Sequence, residues 1–199
     1  MTRRVVIAVV GPVAWHPPGV DPEEWRAALA EDVVDLLATL NEVEPAIAAV
    51  AEDRALAESV AWPSMPVYEV PDRSAAAIFA VAAKDGFEQA ALVVADAPDV
   101  PGLLIGKLLR PLTTRPLAAA PADPGPGLLG VAARLPAPDW LPAFDLDGGA
   151  VADLRAAAPR AANVGVSPGW RRLRGPADLA TLDVAVEGWE TTRALLSAG

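Results

Sequence analysis

The sequence predicts an α/β fold, a three-layer α/β/α arrangement around a mostly parallel, mixed central sheet. Three observations carry this. Short apolar runs alternate with amphipathic stretches along most of the chain, and the connections between them are short. The apolar runs are also continuous rather than alternating, as in strands covered by helices on both faces. With 199 residues and no convincing linker or repeat, residues 1–199 read as one domain.

Residues 4–10 read as the first strand, because Val5, Val6, Ile7, Val9 and Val10 are β-branched and Gly11-Pro12 ends the run. The preceding Met1-Thr2-Arg3-Arg4 gives this stretch some look of a targeting signal. No small-x-small cleavage site follows, so a buried strand is the better reading. No apolar run approaches the ~20 residues of a membrane span. After a Gly/Pro-rich loop at 11–21, Asp21-Pro22-Glu23-Glu24 reads as a helix start, with Asp as N-cap, Pro in the first turn and Glu at the positive end of the dipole. Trp25, Leu29, Val33, Leu36, Leu37 and Leu40 recur at helical spacing and give that helix one buried face. Its acidic residues, including Glu31, Asp32 and Asp35, are expected on the solvated face.

The alternation continues with strands expected at 45–50, 65–69 and 90–95 and helices at 53–61, 73–84 and 101–109. Two further strands, 115–120 and 127–134, flank the Pro/Gly loop 121–126. A Pro-rich excursion at 135–149 is followed by a helix at 150–157 and a strand at 161–166. Helices at 176–182 and 186–196 close the chain.

Composition narrows the chemistry. With no Cys, thiolate metal sites, disulfides and cysteine nucleophiles are excluded, and the single His16 is too little for a multi-histidine metal site. His16 itself fits a surface or packing role. A formal net charge of −10 argues against a nucleic-acid binder, which needs clustered Lys and Arg to displace phosphate counterions. The composition fits a soluble cytoplasmic protein whose polar chemistry rests on Asp, Glu and Arg, with no membrane partner and an oligomeric state left open.

Four constellations concentrate that chemistry. Asp96-Ala97-Pro98-Asp99 follows the strand at 90–95, where ligands bind in open α/β sheets. Two carboxylates there suit Mg²⁺, or else a turn and a helix cap. Asp145-Leu146-Asp147-Gly148-Gly149 offers a metal or a sugar hydroxyl alternating carboxylates, or else caps the next helix. Asp123-Pro124-Gly125-Pro126-Gly127 is a loop that admits close ligand approach or simply turns the chain. Arg171, Arg172 and Arg174 place three guanidinium groups just before a helix start in an otherwise acidic protein. They suit phosphate groups as well as they suit acidic surface partners.

Taken in order, these pieces resemble the GT-A fold of nucleotidyltransferases and nucleotide-sugar glycosyltransferases. The Asp96-Ala97-Pro98-Asp99-Val100-Pro101 element is similar to an Asp-Ser-Pro-Asp-Leu-Pro motif of bacterial glycosyltransferase-like proteins. More distantly, the chain resembles 2-phospholactate and molybdenum-cofactor guanylyltransferases. Pro121-Ala122-Asp123 through Gly130, and Trp170-Arg171-Arg172-Leu173 leading to Asp178-Leu179, are similar to later segments of the same family. The resemblance implies a divalent-metal-dependent nucleotidyl- or glycosyl-transferase-like protein that binds a nucleotide or nucleotide sugar. It implies Mg²⁺ or Mn²⁺ on Asp96, with Asp99 in support at the catalytic centre. The residues themselves add Asp147 as a further candidate metal ligand and Gly11, Asp123, Arg171, Arg172 and Arg174 as candidate nucleotide contacts. The departure lies at 11–21, where relatives carry a basic or Gly-rich nucleotide loop and this chain has no Lys or Arg. That departure leaves a second reading open, a GT-A-like binding or assembly protein without transferase activity.

Overall fold

Continuous apolar runs become the inner strands, buried on both faces, and the strands follow in the order expected. In the computed structural model, which describes residues 2–198, the strands are β1 (Arg4–Val9), β2 (Glu44–Ala49), β3 (Val67–Glu69), β4 (Gln89–Val94), β5 (Leu117–Pro121), β6 (Leu128–Arg134) and β7 (Val164–Val166). Met1, the first residue of the basic N-terminal stretch, lies outside the described residues. The helices are α1 (Pro22–Thr39), α2 (Arg54–Val60), α3 (Ala75–Lys84), α4 (Gly102–Leu109), α5 (Val151–Ala157), α6 (Pro176–Leu179) and α7 (Glu190–Ala198). None of them is long and apolar enough to cross a membrane, among the described residues.

The strands form one sheet in the order β3-β2-β1-β4-β6-β5-β7. β1 runs parallel to β2 and β4, with Ile7 opposite Ala46 on one side and Leu92 on the other. β6 alone is antiparallel to its neighbours, inserted between β4 and β5, while β7 is parallel to β5. The short 122–127 connection forces this reversal, since a few residues cannot carry a parallel crossover. The sheet is therefore mixed, as expected, and an all-parallel doubly wound sheet is excluded. From β1 the chain steps to β2 on one side and returns to β4 on the other. The reversal of strand order opens a crevice at the carboxyl ends of β1 and β4.

Alanine makes up much of the inner sheet. Ala90, Ala91, Ala118, Ala119, Ala120, Ala132 and Ala133 have no solvent exposure. Alanine is a weak strand former by itself, so burial between helical layers, rather than local preference, sets these strands. Gly130 of β6 goes further, because a Cβ there would lie 2.6 Å from the Leu92 carbonyl oxygen and 2.9 Å from the Leu108 side chain.

Element ends depart from expectation mainly after residue 160. The strand expected at 161–166 is shortened by a 3₁₀ turn at Ala161–Asn163, α6 ends at Leu179, and α7 starts only at Glu190. The start of α7 is fixed from outside it. Asp32 of α1 accepts hydrogen bonds from the Thr191 and Thr192 amides at 3.0 and 2.8 Å. Asp32 is thus buried beneath α7, not on the solvated face of α1 as expected, and caps the helix in place of a residue adjacent in sequence.

Burial raises the Asp32 pKa, and the hydrogen bonds from Thr192 and Thr191 only partly offset this. A carboxyl group raised in the folded state contributes stability that is full below its unfolded pKa and is lost as pH rises through the folded value. The Asp32→Asn variant keeps one acceptor and carries no charge. It is expected to gain stability relative to the wild type as pH rises from about 4, the ordinary Asp value, through the raised folded-state value. Paired urea unfolding curves across that range check this; parallel pH profiles would contradict it.

Candidate functional site

The crevice at the switch point is walled by backbone from both central strands. Its deep part has a volume of about 40 Å³, bounded by Val9, Val10, Gly11, Arg26, Arg73, Asp96, Asp145, Asp147 and Arg172. It adjoins a shallower cavity of about 310 Å³ lined by Pro12, Val13, Ala14, Asp96, Asp147, Arg172 and Arg174. Among the residues expected at the site, Gly11, Asp96, Asp147, Arg172 and Arg174 meet here. The deep part admits only a few waters in this conformation.

Asp96 leaves the carboxyl end of β4 and is buried together with Arg172. The Arg172 fork donates Nε to Asp96 Oδ1 at 2.6 Å and Nη2 to Asp96 Oδ2 at 2.8 Å. Both side chains are only 6% exposed. The same Nη2 lies 2.7 Å from Asp147 Oδ1, and Arg172 Nη1 donates to the Leu128 carbonyl at 3.3 Å. Burial lowers the Arg172 pKa, but Asp96 and then Asp147 outweigh it, so the group is raised overall and stays charged. Arg174 adds an ion pair to Asp147 at 3.2 Å and sits 3.9 Å from Asp96.

This constellation is built by backbone contacts that bring together distant parts of the chain. The Leu173 amide donates to the Asp96 carbonyl at 2.8 Å, and the Asp123 amide to the Trp170 carbonyl at 3.0 Å. The 170–174 segment therefore crosses the exits of β4 and β5. Asp147 is held by the neighbouring turn, where Gly127 has φ +85° and a Cβ would meet the Leu146 and Asp147 carbonyl oxygens at 2.8 and 2.9 Å. Only glycine allows that approach.

The expected metal ligands are therefore engaged otherwise. Both Asp96 oxygens accept from one guanidinium group, Asp147 faces the same guanidinium, and no group of three or more His, Asp or Glu side chains is arranged to hold a cation among the described residues. As arranged, these donors do not fit a divalent ion. Mg²⁺ requires a near-octahedral set of oxygens, and a free carboxylate is the minimum the protein normally supplies.

Asp99, Arg171 and Asp123 lie outside the crevice. Asp99 is buried, accepts from Trp170 Nε1 at 3.2 Å and pairs with Arg171. The Arg171 guanidinium in turn lies 4.6 Å above the Trp170 ring. Together they clamp the 170–174 segment onto the loop after β4. Asp123 is exposed in the β5–β6 turn.

Sequence reasoning missed the crevice's other cations. Arg26 Nε donates to the Gly11 carbonyl at 2.8 Å, and its Nη2 pairs with buried Asp53. Arg73, just before α3, reaches Asp53 at 3.4 Å and packs so closely on Gly11 that a Cβ there would sit 3.0 Å from Arg73 Cδ. The loop that lacks Lys and Arg is thus served by guanidinium groups from two other segments. One signal was available. Arg26 is the single basic residue in the otherwise acidic α1.

The mixed sheet with one antiparallel strand next to β4 is a GT-A-like fold. No family model matches the chain, and no curated protein matches it. Among solved structures, the chain is similar to a protein assigned as a nucleotide-diphospho-sugar transferase from Desulfovibrio desulfuricans G20, at 19% identity and a TM-score of 0.64, over 100% of this chain and 98% of that one. It is similar to CMP:2-keto-3-deoxy-manno-octonic acid synthetase complexed with CTP, at 12% identity and a TM-score of 0.57, over 99% of each chain. It is also similar to Rv0371c of Mycobacterium tuberculosis H37Rv in complex with manganese, at 14% identity and a TM-score of 0.54, over 100% of each. At such identities the likeness is one of fold.

Proposed function

We propose that the protein, a single domain over 1–199, binds a nucleotide or nucleotide sugar in the crevice at the carboxyl ends of β1 and β4. The observation that carries this reading is convergence: the Gly11 loop, the end of β4 and the guanidinium groups of Arg26, Arg73 and Arg172 line one crevice at the switch point. Open α/β sheets bind ligands there, and planar guanidinium groups match phosphate geometry. The CTP-bound structure of the same fold supports the ligand class. Gly11, Arg172 and Arg174, named from the sequence, are the proposed binding residues, joined by Arg26 and Arg73. Asp99, Arg171 and Asp123 serve the site by holding its walls. The setting is cytoplasmic, with neither nucleic acid nor membrane as partner.

Thermal-shift titration with CTP, GTP and UDP-sugars tests the reading. At least one is expected to raise the melting temperature, and Arg26→Ala to reduce that rise. A panel with no shift would reject it.

Transferase chemistry with Mg²⁺ or Mn²⁺ on Asp96 and Asp147 is a second reading, supported by the two carboxylates flanking the same crevice and by the manganese complex of the same fold. It requires Arg172 to withdraw from between them. Metal-dependent turnover of any of the same nucleotides would establish it.

A further inference from the structure

The carboxylates on either side of the crevice already share a cation. Arg172 Nη2 lies between them, 2.8 Å from Asp96 Oδ2 and 2.7 Å from Asp147 Oδ1. With Arg174 ion-paired to Asp147, two carboxylates face two guanidinium groups and their charges cancel. Between these two carboxylates no net negative charge remains to draw in a divalent ion, and no oxygen of Asp96 lacks a donor. Arginine cannot yield the place by losing its proton at any ordinary pH.

We infer that the Arg172 guanidinium takes the position of the divalent cation between Asp96 and Asp147, so that the crevice takes up a phosphate-bearing anion without metal. The anion half rests on the proposed nucleotide reading; the cation half does not. The anion's donors come from the other wall. Among the described residues, Arg26 Nη1 and Arg73 Nε and Nη2 have no hydrogen-bond partner, while their sister nitrogens fix both side chains on Asp53. Anchored guanidinium groups with free N–H edges are preorganised for phosphate oxygens, and their position does not depend on a metal.

Two titrations test this with the full chain. Free Mn²⁺ gives a six-line electron paramagnetic resonance signal that fades on binding. Adding wild-type protein to MnCl₂ is expected to leave the signal undiminished, whereas Arg172→Met is expected to quench it and to gain a Mn²⁺-dependent rise in melting temperature. Quenching by wild type that Asp96→Asn abolishes overturns the inference, as does a folded Arg172→Met that leaves the signal intact. If that variant does not fold, the wild-type titration decides alone. In the second titration, pyrophosphate is followed by calorimetry in EDTA. Binding is expected there, reduced at least tenfold in Arg26→Ala. No binding in EDTA overturns the metal-free anion site. Recovery with MgCl₂ then leaves the nucleotide reading standing, and no recovery removes that as well, while the Mn²⁺ result stands independently of both.

Discussion

Replacing Arg172 with Met is expected to lower the unfolding free energy by about 3–5 kcal/mol, the usual cost of removing one partner from a buried ion pair. The reason is geometric. Asp96 and Arg172 are each 6% exposed, and without the fork the nearest remaining cation to Asp96 is Arg174 at 3.9 Å. A carboxylate in that position loses both of its charge-assisted hydrogen bonds. For a domain of this size the loss corresponds to a fall in melting temperature of roughly 6–20 °C. The double variant Asp96→Asn/Arg172→Met leaves no uncompensated charge, so it is expected to be more stable than Arg172→Met alone. Chemical denaturation of the four proteins in the cycle checks both statements. Strict additivity of the single losses would show that the pair is not energetically coupled.

Trp25→Ala is expected to be of similar size, about 3–5 kcal/mol, as for large aromatic side chains in cores. Trp25 has no solvent exposure and centres a second, smaller core with Leu29 and Leu173. Trp15 meets it edge-on at 6.2 Å between ring centroids, and Val13 and Val20 pack on the same cluster. This cluster ties the loop after β1 and the arginine-bearing segment to α1. Its loss should therefore show locally as well as globally. Amide hydrogen exchange at 13–20 and 170–174 is expected to accelerate in the variant more than exchange in β1 and β4. Equal acceleration everywhere would mean that the cluster contributes stability without positioning the crevice walls.

The two predictions concern the same architectural fact from opposite sides. Arg172 links the C-terminal segment to the strand end through charge, and Leu173, its neighbour, links it to α1 through apolar contact. Adjacent residues at this crossing face opposite surroundings, much as successive residues in a strand do. A polar crevice can sit beside a dry cluster because the segment separates them.

How much of this was legible beforehand depended on how local each cause is. β1 and β4 were legible because continuous Val, Ile, Leu and Ala runs have no stable home except between two helical layers. The start of α1 was legible because Asp21 caps it within three residues, accepting from the Glu23 and Glu24 amides at 2.9 and 3.0 Å. Asp96 was legible as a crevice residue because its place at a strand's carboxyl end follows from the fold class. The start of α7 was not, since its cap comes from Asp32, 159 residues away from Thr191.

The sequence by itself therefore determined the layers, a largely parallel sheet and the position of Asp96 beside the crevice, all of which follow from periodicity and from bonds spanning a few residues. Only the tertiary structure decided what Asp96 faces. The spacing of Arg171, Arg172 and Arg174 leaves open which of them turns inward. That choice is made where the Leu173 amide bonds the Asp96 carbonyl and the Leu173 side chain enters the Trp25 cluster, placing Arg172 on Asp96 and sending Arg171 to Asp99. Charge pairing across 76 residues is set by where the backbone crosses, and no local pattern encodes it.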